Sequence, residues 1–451
     1  MTSNLPENLE SLIQERQAQK LVQEMLALAQ QAGADQAEVS AVYQQGLNID
    51  VRQQQVDTVS FNRDKAIGIT VYLDQKKGCV STSDLSPASL KSAVAKAIDI
   101  AKYTEKDDCA GLASPELISK EIPDLKLYHP WPLQIEEAIE LAKTCENAAF
   151  KYDKRITNSD GVNVHSHQGY HIYANTNGFL GAYPTSRHSL SCVVIGQDKK
   201  GMVRDYDYTV ARDAQKLLAP QEIGESAARR TINRLDAQKI PTGEVPVIFV
   251  APVATSLIGH FMSAISGGHL FRKTSFLLES LGKQIFPGFI ALDERPHLFG
   301  ALGSSPFDGD GLATYPKYFV EQGVVKQYVL GTYSARKLKM NSTANAGGVH
   351  NLYISTGDQN LEQLCAEMGR GLLVTELMGQ GVNLVTGDYS RGASGYWIEG
   401  GKIQFPVHEI TVASNLKDMF KNIVKVGNDV ETRGNIYTGS IFINKMMVAG
   451  A

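Results

Sequence analysis

The segment from Val245 to Phe271 constrains the fold most, because it contains no Asp, Glu, Lys or Arg residue. An uncharged stretch of this length could span a bilayer as a helix. It also contains Pro246, Pro252, three glycines, two histidines and several hydroxyl side chains. Proline ends a strand and is tolerated in the first turn of a helix. We therefore predict a buried strand at 247–250, then a helix at about 253–266, and no membrane span.

The composition is that of an ordinary soluble globular protein. The 451 residues are 43% hydrophobic and 20% charged, which allows two or three domains with substantial cores. A net charge of −4 offers no basic surface for a nucleic acid, so we expect no nucleic-acid partner. Five scattered cysteines without a Cys-x-x-Cys pair indicate thiols in a reducing compartment. The N-terminus has no apolar signal core, so we expect a cytoplasmic protein without a membrane partner.

The first half of the chain alternates between helices and strands. Amphipathic helices are predicted at 10–32 and 87–103, with four short strands between them. The order of helix, strands and helix recurs, with helices at about 134–151 and 219–234. The sequence therefore predicts an N-terminal α+β domain over residues 1–235, with an antiparallel sheet and flanking helices. That this domain is a duplicated unit stays open.

The second half is richer in glycine and in short apolar runs separated by turn residues. Hairpin turns are predicted at 321–323 and 399–401, because each pairs polar residues with glycine. Besides the helix in the uncharged segment, helices are predicted at about 361–372 and 415–423. We predict that residues 241–451 form a β-rich C-terminal domain, either a sandwich or barrel-like.

Several familiar catalytic and metal-binding motifs are missing from the sequence. Gly387–Gly392 does not have the spacing of a nucleophile elbow, and Asp308–Gly311 lacks the later oxygen ligands of a calcium loop. No phosphate-binding loop or dinucleotide fingerprint occurs. His165 and His167 would share one face of a strand, but no third ligand follows nearby. We interpret them as exposed or hydrogen-bonded strand histidines.

Four glycine-rich blocks lie in the second half, at residues 345–351, 375–381, 386–392 and 426–429. Glycines beside polar residues mark either tight turns or places where another backbone approaches closely. The residues alone do not decide between these interpretations.

A family resemblance goes further. The run from residue 371 to residue 429 closely resembles the TldD/PmbA family, and so do the segments STSDLSPASL, KRITNSDG, YSARKL and NAGGVHN, which together span essentially the whole chain. Within the family, the resemblance is to the PmbA branch, also named TldE, rather than to the TldD branch. It implies a cytoplasmic metalloprotease in which the two kinds of chain pair. Its expected substrates are unfolded or modified peptides, including peptide-antibiotic precursors and toxin or antitoxin peptides.

The resemblance also locates a degenerate metal motif. TldD-type chains hold zinc with an H-E-x-x-x-H helix and a cysteine near the C-terminus. The matching positions here are Thr255 for the first histidine, Ser256 for the glutamate, His260 for the second histidine and Thr438 for the cysteine. Hydroxyls are poor zinc ligands and cannot replace a carboxylate base. We therefore expect no metal and no intact catalytic residue in this chain, with zinc held by a TldD-type partner in a heteromer.

Peptide binding is expected in the C-terminal domain. A glycine-flanked strand edge at 383–398 could bind a substrate backbone by strand addition. The candidate peptide-binding residues are Gly347, Gly348, Gly387, Asp388, Tyr389, Ser390 and Arg391.

Other interpretations remain open. The main alternative is a metal-free peptide-binding or regulatory homodimer. A third follows an older family label, modulator of DNA gyrase, and would have the chain bind DNA or gyrase directly. A fourth is a relocated zinc site that uses His260 with His269 or His350.

Overall fold

The structure is a computed structural model that describes residues 15–450, with side chains from residue 17 onward. Residues 1–14, where the predicted first helix and domain begin, and Ala451 lie outside the described residues.

The first part of the described chain builds a six-stranded antiparallel sheet in the order β3-β2-β1-β4-β5-β6. Its strands are β1 (Gln36–Arg52), β2 (Gln55–Leu73), β3 (Lys76–Thr82), β4 (Ile156–Asn175), β5 (Leu180–Gln197) and β6 (Met202–Ala211). The expectation of four short strands before β3 is wrong, because β1 and β2 each run unbroken. The polar residues that suggested breaks pair across the two strands, as Gln44 does with Asp64 and Gln45 with Arg63.

Four helices cover one face of this sheet: α1 (Glu15–Gln31), α2 (Pro87–Tyr103), α3 (Ile135–Tyr152) and α4 (Pro220–Asn233). The first two share a buried core with Val39 and Ile69, and the other two share one with Val164 and Val194. Each half of the sheet thus follows the order helix, three strands, helix. The predicted recurrence and the predicted antiparallel α+β fold are confirmed.

The rest of the chain contains many short elements. The strands are β7 (Gly243–Phe249), β8 (Leu292–Glu294), β9 (Lys317–Glu321), β10 (Val324–Val325), β11 (Leu352–Ile354), β12 (Gly371–Met378), β13 (Asp388–Glu399), β14 (Lys402–Asn415), β15 (Ile423–Val426), β16 (Ile436–Tyr437) and β17 (Ile441–Ala449). The helices are α5 (Ala251–Ala264), α6 (Gly267–Phe271), α7 (Thr332–Lys337), α8 (Leu361–Met368) and α9 (Leu416–Lys421).

A barrel-like sheet dominates this region. Strands β14, β13, β12, β7 and β17 are hydrogen-bonded in that order, and a further pairing of β14 with β17 closes the sheet. A five-stranded sheet, β10-β9-β8-β11-β16, shares one continuous core with it. Of the two predicted alternatives, the structure adopts the barrel-like one.

Local element predictions mostly agree with the structure. The hairpins at 321–323 and 399–401 are confirmed as the β9–β10 and β13–β14 turns. The helix predicted at 361–372 is too long, because Gly369 adopts a φ of +68° and the chain then enters β12. Two short helices, α6 and α7, were not expected.

The uncharged segment forms β7, α5 and α6, which confirms the predicted strand and helix. Phe249 and Phe261 from this segment are 1% and 0% exposed, so its apolar character reflects burial inside the protein. Within residues 15–450, no helix is both long and apolar enough to cross a membrane.

Arginines connect the helix-covered sheet to the barrel region. Arg336 of α7 donates to the carbonyl oxygens of Cys109, Gly111 and Leu112 at 3.3, 3.0 and 2.5 Å. Arg433 donates to the carboxylate of Asp207 at 2.7 Å. These bonds use several N–H groups of one rigid guanidinium, which fixes the angle between the joined segments.

Candidate functional site

Helix α5 carries three of the four positions of the degenerate metal motif. It begins directly after β7, with Pro252 in its first turn, where a missing N–H costs nothing. Ala254, Leu257, Ile258 and Phe261 are at most 2% exposed and anchor one face of the helix in the core. The motif residues therefore lie on its less buried side.

The hydroxyls of Thr255 and Ser256 are bonded to their own helix. Thr255 Oγ1 donates to the carbonyl of Pro252 at 2.7 Å, and Ser256 Oγ donates to that of Val253, also at 2.7 Å. Such bonds to the preceding turn are the ordinary state of Thr and Ser inside a helix. Both side chains therefore have the structural role of helix hydroxyls, and a neutral hydroxyl is a poor zinc ligand.

His260 packs against the start of β13. Its ring stands edge-on to the ring of Tyr389, with 6.2 Å between the centroids. Burial lowers the pKa of His260, and the positive charge of Arg391 lowers it further, which favours the neutral imidazole. Nε2 is buried and has no hydrogen-bond partner within the described part of the chain.

Thr438 directly follows β16, which packs against α5. It is fully buried, and its Oγ1 donates to the carbonyl of Gly439 at 3.0 Å. Two residues later, the hydroxyl oxygen of Ser440 accepts from the N–H of Ala251 at 3.0 Å, which ties this segment to the helix. The structure thus brings the four motif positions onto neighbouring elements.

This set of side chains does not fit a catalytic zinc ion. It contains one imidazole and three hydroxyls, whereas zinc sites use imidazole, thiolate and carboxylate ligands. Helix α5 is also continuous over its whole length, so Thr255 and His260 lie about 140° apart around its axis. His269 and His350 contact Thr274 and Glu294 through Nδ1, and among the described residues they do not join His260 in a group of three possible metal ligands. Among residues 15–450, no three His, Cys, Asp or Glu side chains are placed to hold a metal ion.

The predicted peptide-binding residues Gly387, Asp388, Tyr389, Ser390 and Arg391 lie at the turn into β13. Gly387 adopts a φ of +85°, which favours glycine. The carboxylate of Asp388 accepts from Thr386 Oγ1 at 2.6 Å. Arg391 donates to the carbonyl of Gly379 at 3.1 Å. Tyr389 is the member that contacts His260, so this turn adjoins the degenerate motif.

The expected free strand edge at 383–398 is not present. Strand β13 pairs with β14 along its whole length and with β12 from Gly392 to Ile398. Before Gly392, the N–H of Ser390 donates to the carbonyl of Gly381 at 2.7 Å, so residues 381–383 occupy the remaining edge. The prediction that a peptide adds to an edge of β13 is therefore wrong, because both edges of this strand already pair with other segments of the chain.

Gly347 and Gly348 lie elsewhere, in a cleft of about 340 Å³ between the helix-covered sheet and the barrel region. Both have positive φ, and a Cβ on either would meet no atom within 4 Å. The cleft is also lined by His171, Tyr183 and His350. The structure thus separates the predicted peptide-binding residues into two places.

Behind this cleft lies a buried polar network that the sequence did not indicate. Glu294 is 0% exposed and accepts from Lys317 Nζ at 2.7 Å, from Asn345 Nδ2 at 2.9 Å and from the backbone N–H of His350 at 2.7 Å. Burial alone would raise the pKa of Glu294, but the hydrogen bond from His350 and the charge of Lys317 outweigh it and lower the pKa. In the sequence, only the glycine-rich block 345–351 pointed to this region of the molecule. The network fixes the conformation of that block.

A second cavity, of about 830 Å³, adjoins this cleft, since Tyr173 lines both, and it contains no predicted residue. Glu38 lines it and accepts hydrogen bonds from Tyr72 at 3.1 Å and from Tyr173 at 2.7 Å. Burial raises the pKa of Glu38 despite these bonds. Because Glu38, Tyr72 and Tyr173 are far apart in sequence, no local pattern could have predicted their contact.

Comparison with known proteins gives a consistent result. Family models of the PmbA/TldA metallopeptidases match in order: domain 1 at residues 37–101, the central domain at 128–235 and the C-terminal domain at 242–450. A metalloprotease PmbA homolog from Haemophilus influenzae is 49% identical, covering 97% of each chain. The metalloprotease PmbA of Escherichia coli O157:H7 is 48% identical, covering 96% of each chain.

Solved structures share the fold. A Bacteroides thetaiotaomicron protein solved as a candidate modulator of DNA gyrase has a TM-score of 0.92 at 29% identity, covering 98% of this chain and 100% of its own. TldE from Thermococcus kodakarensis has a TM-score of 0.81 at 20% identity, covering 95% of this chain and 100% of its own. From its sequence relatives and family-model matches, this chain belongs to the PmbA branch of the PmbA/TldD metallopeptidase family.

Proposed function

We propose that this chain is the non-catalytic subunit of a zinc peptidase whose catalytic subunit is a TldD-type chain. The supporting observation is the state of the degenerate motif. Its four positions lie on neighbouring elements, but Thr255, Ser256 and Thr438 all donate their hydroxyl protons to nearby backbone carbonyls. One imidazole and three hydroxyls at these positions supply neither the ligand set nor the base that a catalytic zinc ion needs.

In this proposal the chain contributes binding surface and architecture. The cleft with Gly347 and Gly348 is open on the glycine side, so a peptide backbone could approach closely there. The buried Glu294 network holds that side of the cleft rigid. The expected substrates are unfolded or modified peptides, such as peptide-antibiotic precursors and toxin or antitoxin peptides.

A mixing experiment tests this proposal. Cleavage of an unfolded peptide is measured with this chain alone, with a TldD-type chain alone and with the mixture. We expect no turnover by this chain alone, and the highest turnover in the mixture, where both chains co-purify. Full turnover by this chain alone, or no effect of it on the TldD-type chain, contradicts the proposal.

The alternative is a metal-free peptide-binding or regulatory homodimer. It predicts a stable dimer that does not exchange with the TldD-type chain when the two are mixed, which size measurement distinguishes. Direct DNA binding, which the gyrase label of some relatives would imply, requires salt-sensitive affinity. The net charge of −4 gives no support for it.

A further inference from the structure

The second cavity described above, which we call the Glu38 cavity, carries more negative than positive charge. Of the described residues that line it, five are acidic and three are lysines. Two of these lysines already have partners, because Lys106 Nζ lies 2.6 Å from the carboxylate of Asp74 and Lys337 Nζ lies 2.9 Å from that of Asp107. The cavity therefore favours a cationic ligand over an anionic one.

Glu38 and Asp310 are the two acids of the cavity that the rest of the chain holds in place. Glu38 accepts the two tyrosine hydroxyls described above, and Asp310 Oδ2 accepts from the N–H of Thr332 at 2.7 Å. Neither carboxylate forms an ion pair with another of the described residues. Burial, and then the charge of Asp310, raise the pKa of Glu38 against its two hydrogen bonds and the charge of Lys77. A cation bound between the two carboxylates would relieve this repulsion.

Thr332 adds an acceptor that the chain leaves unused. It lines the Glu38 cavity and is 9% exposed, and its Oγ1 has no hydrogen-bond partner among the described residues. A buried polar atom without a partner is costly, so its position beside a cavity points to a ligand that supplies the missing bond. The described part of the chain offers no group of three metal-binding side chains. A primary ammonium group, with three N–H donors and no acceptor, matches Glu38, Asp310 and Thr332.

The Glu38 cavity is continuous with the cleft that contains Gly347 and Gly348. Tyr173 lines both spaces. Asp308 of the cleft and Asp310 of the cavity belong to one turn, in which the N–H of Asp310 donates to the Asp308 carboxylate at 2.9 Å. An extended peptide whose first residue occupies the cavity can therefore continue along the cleft, where the two glycines leave room for its backbone.

From these observations we propose that the Glu38 cavity binds a primary ammonium group, and that this group is the free amino terminus of a peptide held in the adjoining cleft. Glu38 and Asp310 bind the charge, and Thr332 accepts one N–H. The choice of a peptide rests on the proposed function, whereas the ammonium site rests on the cavity alone. The chain then distinguishes peptides with a free amino terminus from blocked ones.

Binding of matched peptides to the full-length chain alone tests this assignment. Two peptides share one unfolded, lysine-free sequence with a fluorescent label at the C-terminus, and one of them is acetylated at its amino terminus. We expect the free peptide to bind at least about tenfold more tightly in fluorescence anisotropy at pH 7, because acetylation removes the charge and two of the three N–H donors. A third peptide, acetylated and with one lysine near its start, should bind like the acetylated peptide without lysine.

Substitutions in the cavity test the residues. E38Q and D310N should each reduce the preference for the free peptide to less than about threefold, and T332V should reduce it by a smaller factor. Glutamine and asparagine keep an oxygen for the existing hydrogen bonds, and circular dichroism checks that all three variants are folded. The matched control E225Q changes an exposed glutamate of α4 and should keep the full preference.

Four results overturn the proposal. They are equal affinity for the free and acetylated peptides, tight binding of the acetylated lysine peptide, a full preference in both E38Q and D310N, and no binding of any peptide to this chain. The peptidase role fails separately, in the turnover of the mixture with a TldD-type chain, which is measured with free and acetylated peptides alike.

Discussion

At the scale of single residues, His260 is the part of the metal motif that remains, and its surroundings do not resemble a ligand site. Its pKa is lowered by burial, and its Nε2 has no partner among the described residues. We expect H260A to leave the zinc content and turnover of the mixed complex unchanged, and to alter the free energy of unfolding by no more than about 1–2 kcal/mol. Metal analysis, kinetics and denaturant unfolding check this.

The control for H260A is the corresponding substitution of the second motif histidine in the TldD-type partner. That substitution should remove zinc and activity together, because the proposed function assigns this histidine of the partner to zinc. Loss of zinc in H260A itself would show that His260 binds metal.

Glu294 is the residue whose charge is most deeply buried beside the cleft. E294Q removes the partner of Lys317, whose side chain is 1% exposed, and should lower the free energy of unfolding at pH 7 by about 3–5 kcal/mol. The matched control E225Q changes an exposed glutamate of α4 and should cost less than about 0.5 kcal/mol. Urea denaturation of both variants measures the difference.

The difference in unfolding free energy between wild type and E294Q should depend on pH. The pKa of Glu294 is lowered in the folded protein from a usual value of 4.5, because His350 and Lys317 together outweigh the effect of burial. The stabilisation from its charge is therefore complete above about pH 4.5 and is lost as the pH falls through the lower folded value. The stability gap between wild type and E294Q should narrow below pH 4.5, and a gap that widens there would contradict this assignment.

At the scale of elements, the pairing of β13 on both edges makes one glycine critical. A Cβ at Gly395 would lie 1.8 Å from the carbonyl oxygen of Leu373 on β12. We expect G395A to destabilise the protein by more than about 2 kcal/mol, because the ladder must shift. The control G243A, where a Cβ meets nothing within 4 Å, should change stability by less than about 1 kcal/mol. Equal thermal stability of the two variants would mean that this edge of β13 is free.

Sequence patterns could predict the elements with strong local signals. Helices α2, α3 and α4 lie within one residue of their expected bounds, because their apolar spacing and their start and end signals agree. The closure of the barrel could not be predicted in this way. It depends on pairs such as Val412 with Val448, which are distant in sequence and have no local signature.

The same limit applies to the candidate site. The resemblance supplied Thr255, Ser256, His260 and Thr438, and the structure places them on neighbouring elements. The network around Glu294 was missed, because its members come from β8, β9 and the loop before β11. The prediction of a free edge at 383–398 was wrong for a related reason. Alternating residues predict a strand, but they do not identify the strands that pair with it.

At the scale of the whole molecule, substitution of Arg336 tests how strongly the helix-covered sheet and the barrel region are joined. R336K keeps the charge but loses the planar guanidinium that reaches three carbonyls of residues 109–112. We expect a loss of about 1–3 kcal/mol in unfolding free energy and faster proteolysis within residues 104–133. The control R370K changes an exposed arginine 3.8 Å from Glu399 and should have little effect. Equal protease resistance of the two variants would contradict the role of Arg336.

The division of labour between two kinds of chain is the central claim, and counting zinc in the purified mixed complex tests it most directly. Native mass spectrometry gives the number of each chain, and metal analysis of the same sample gives the number of zinc ions. We predict one zinc ion for each TldD-type chain and none for this chain, whether it is alone or in the complex. Stoichiometric zinc in this chain purified alone, or a zinc count that equals the total number of chains, would contradict the account.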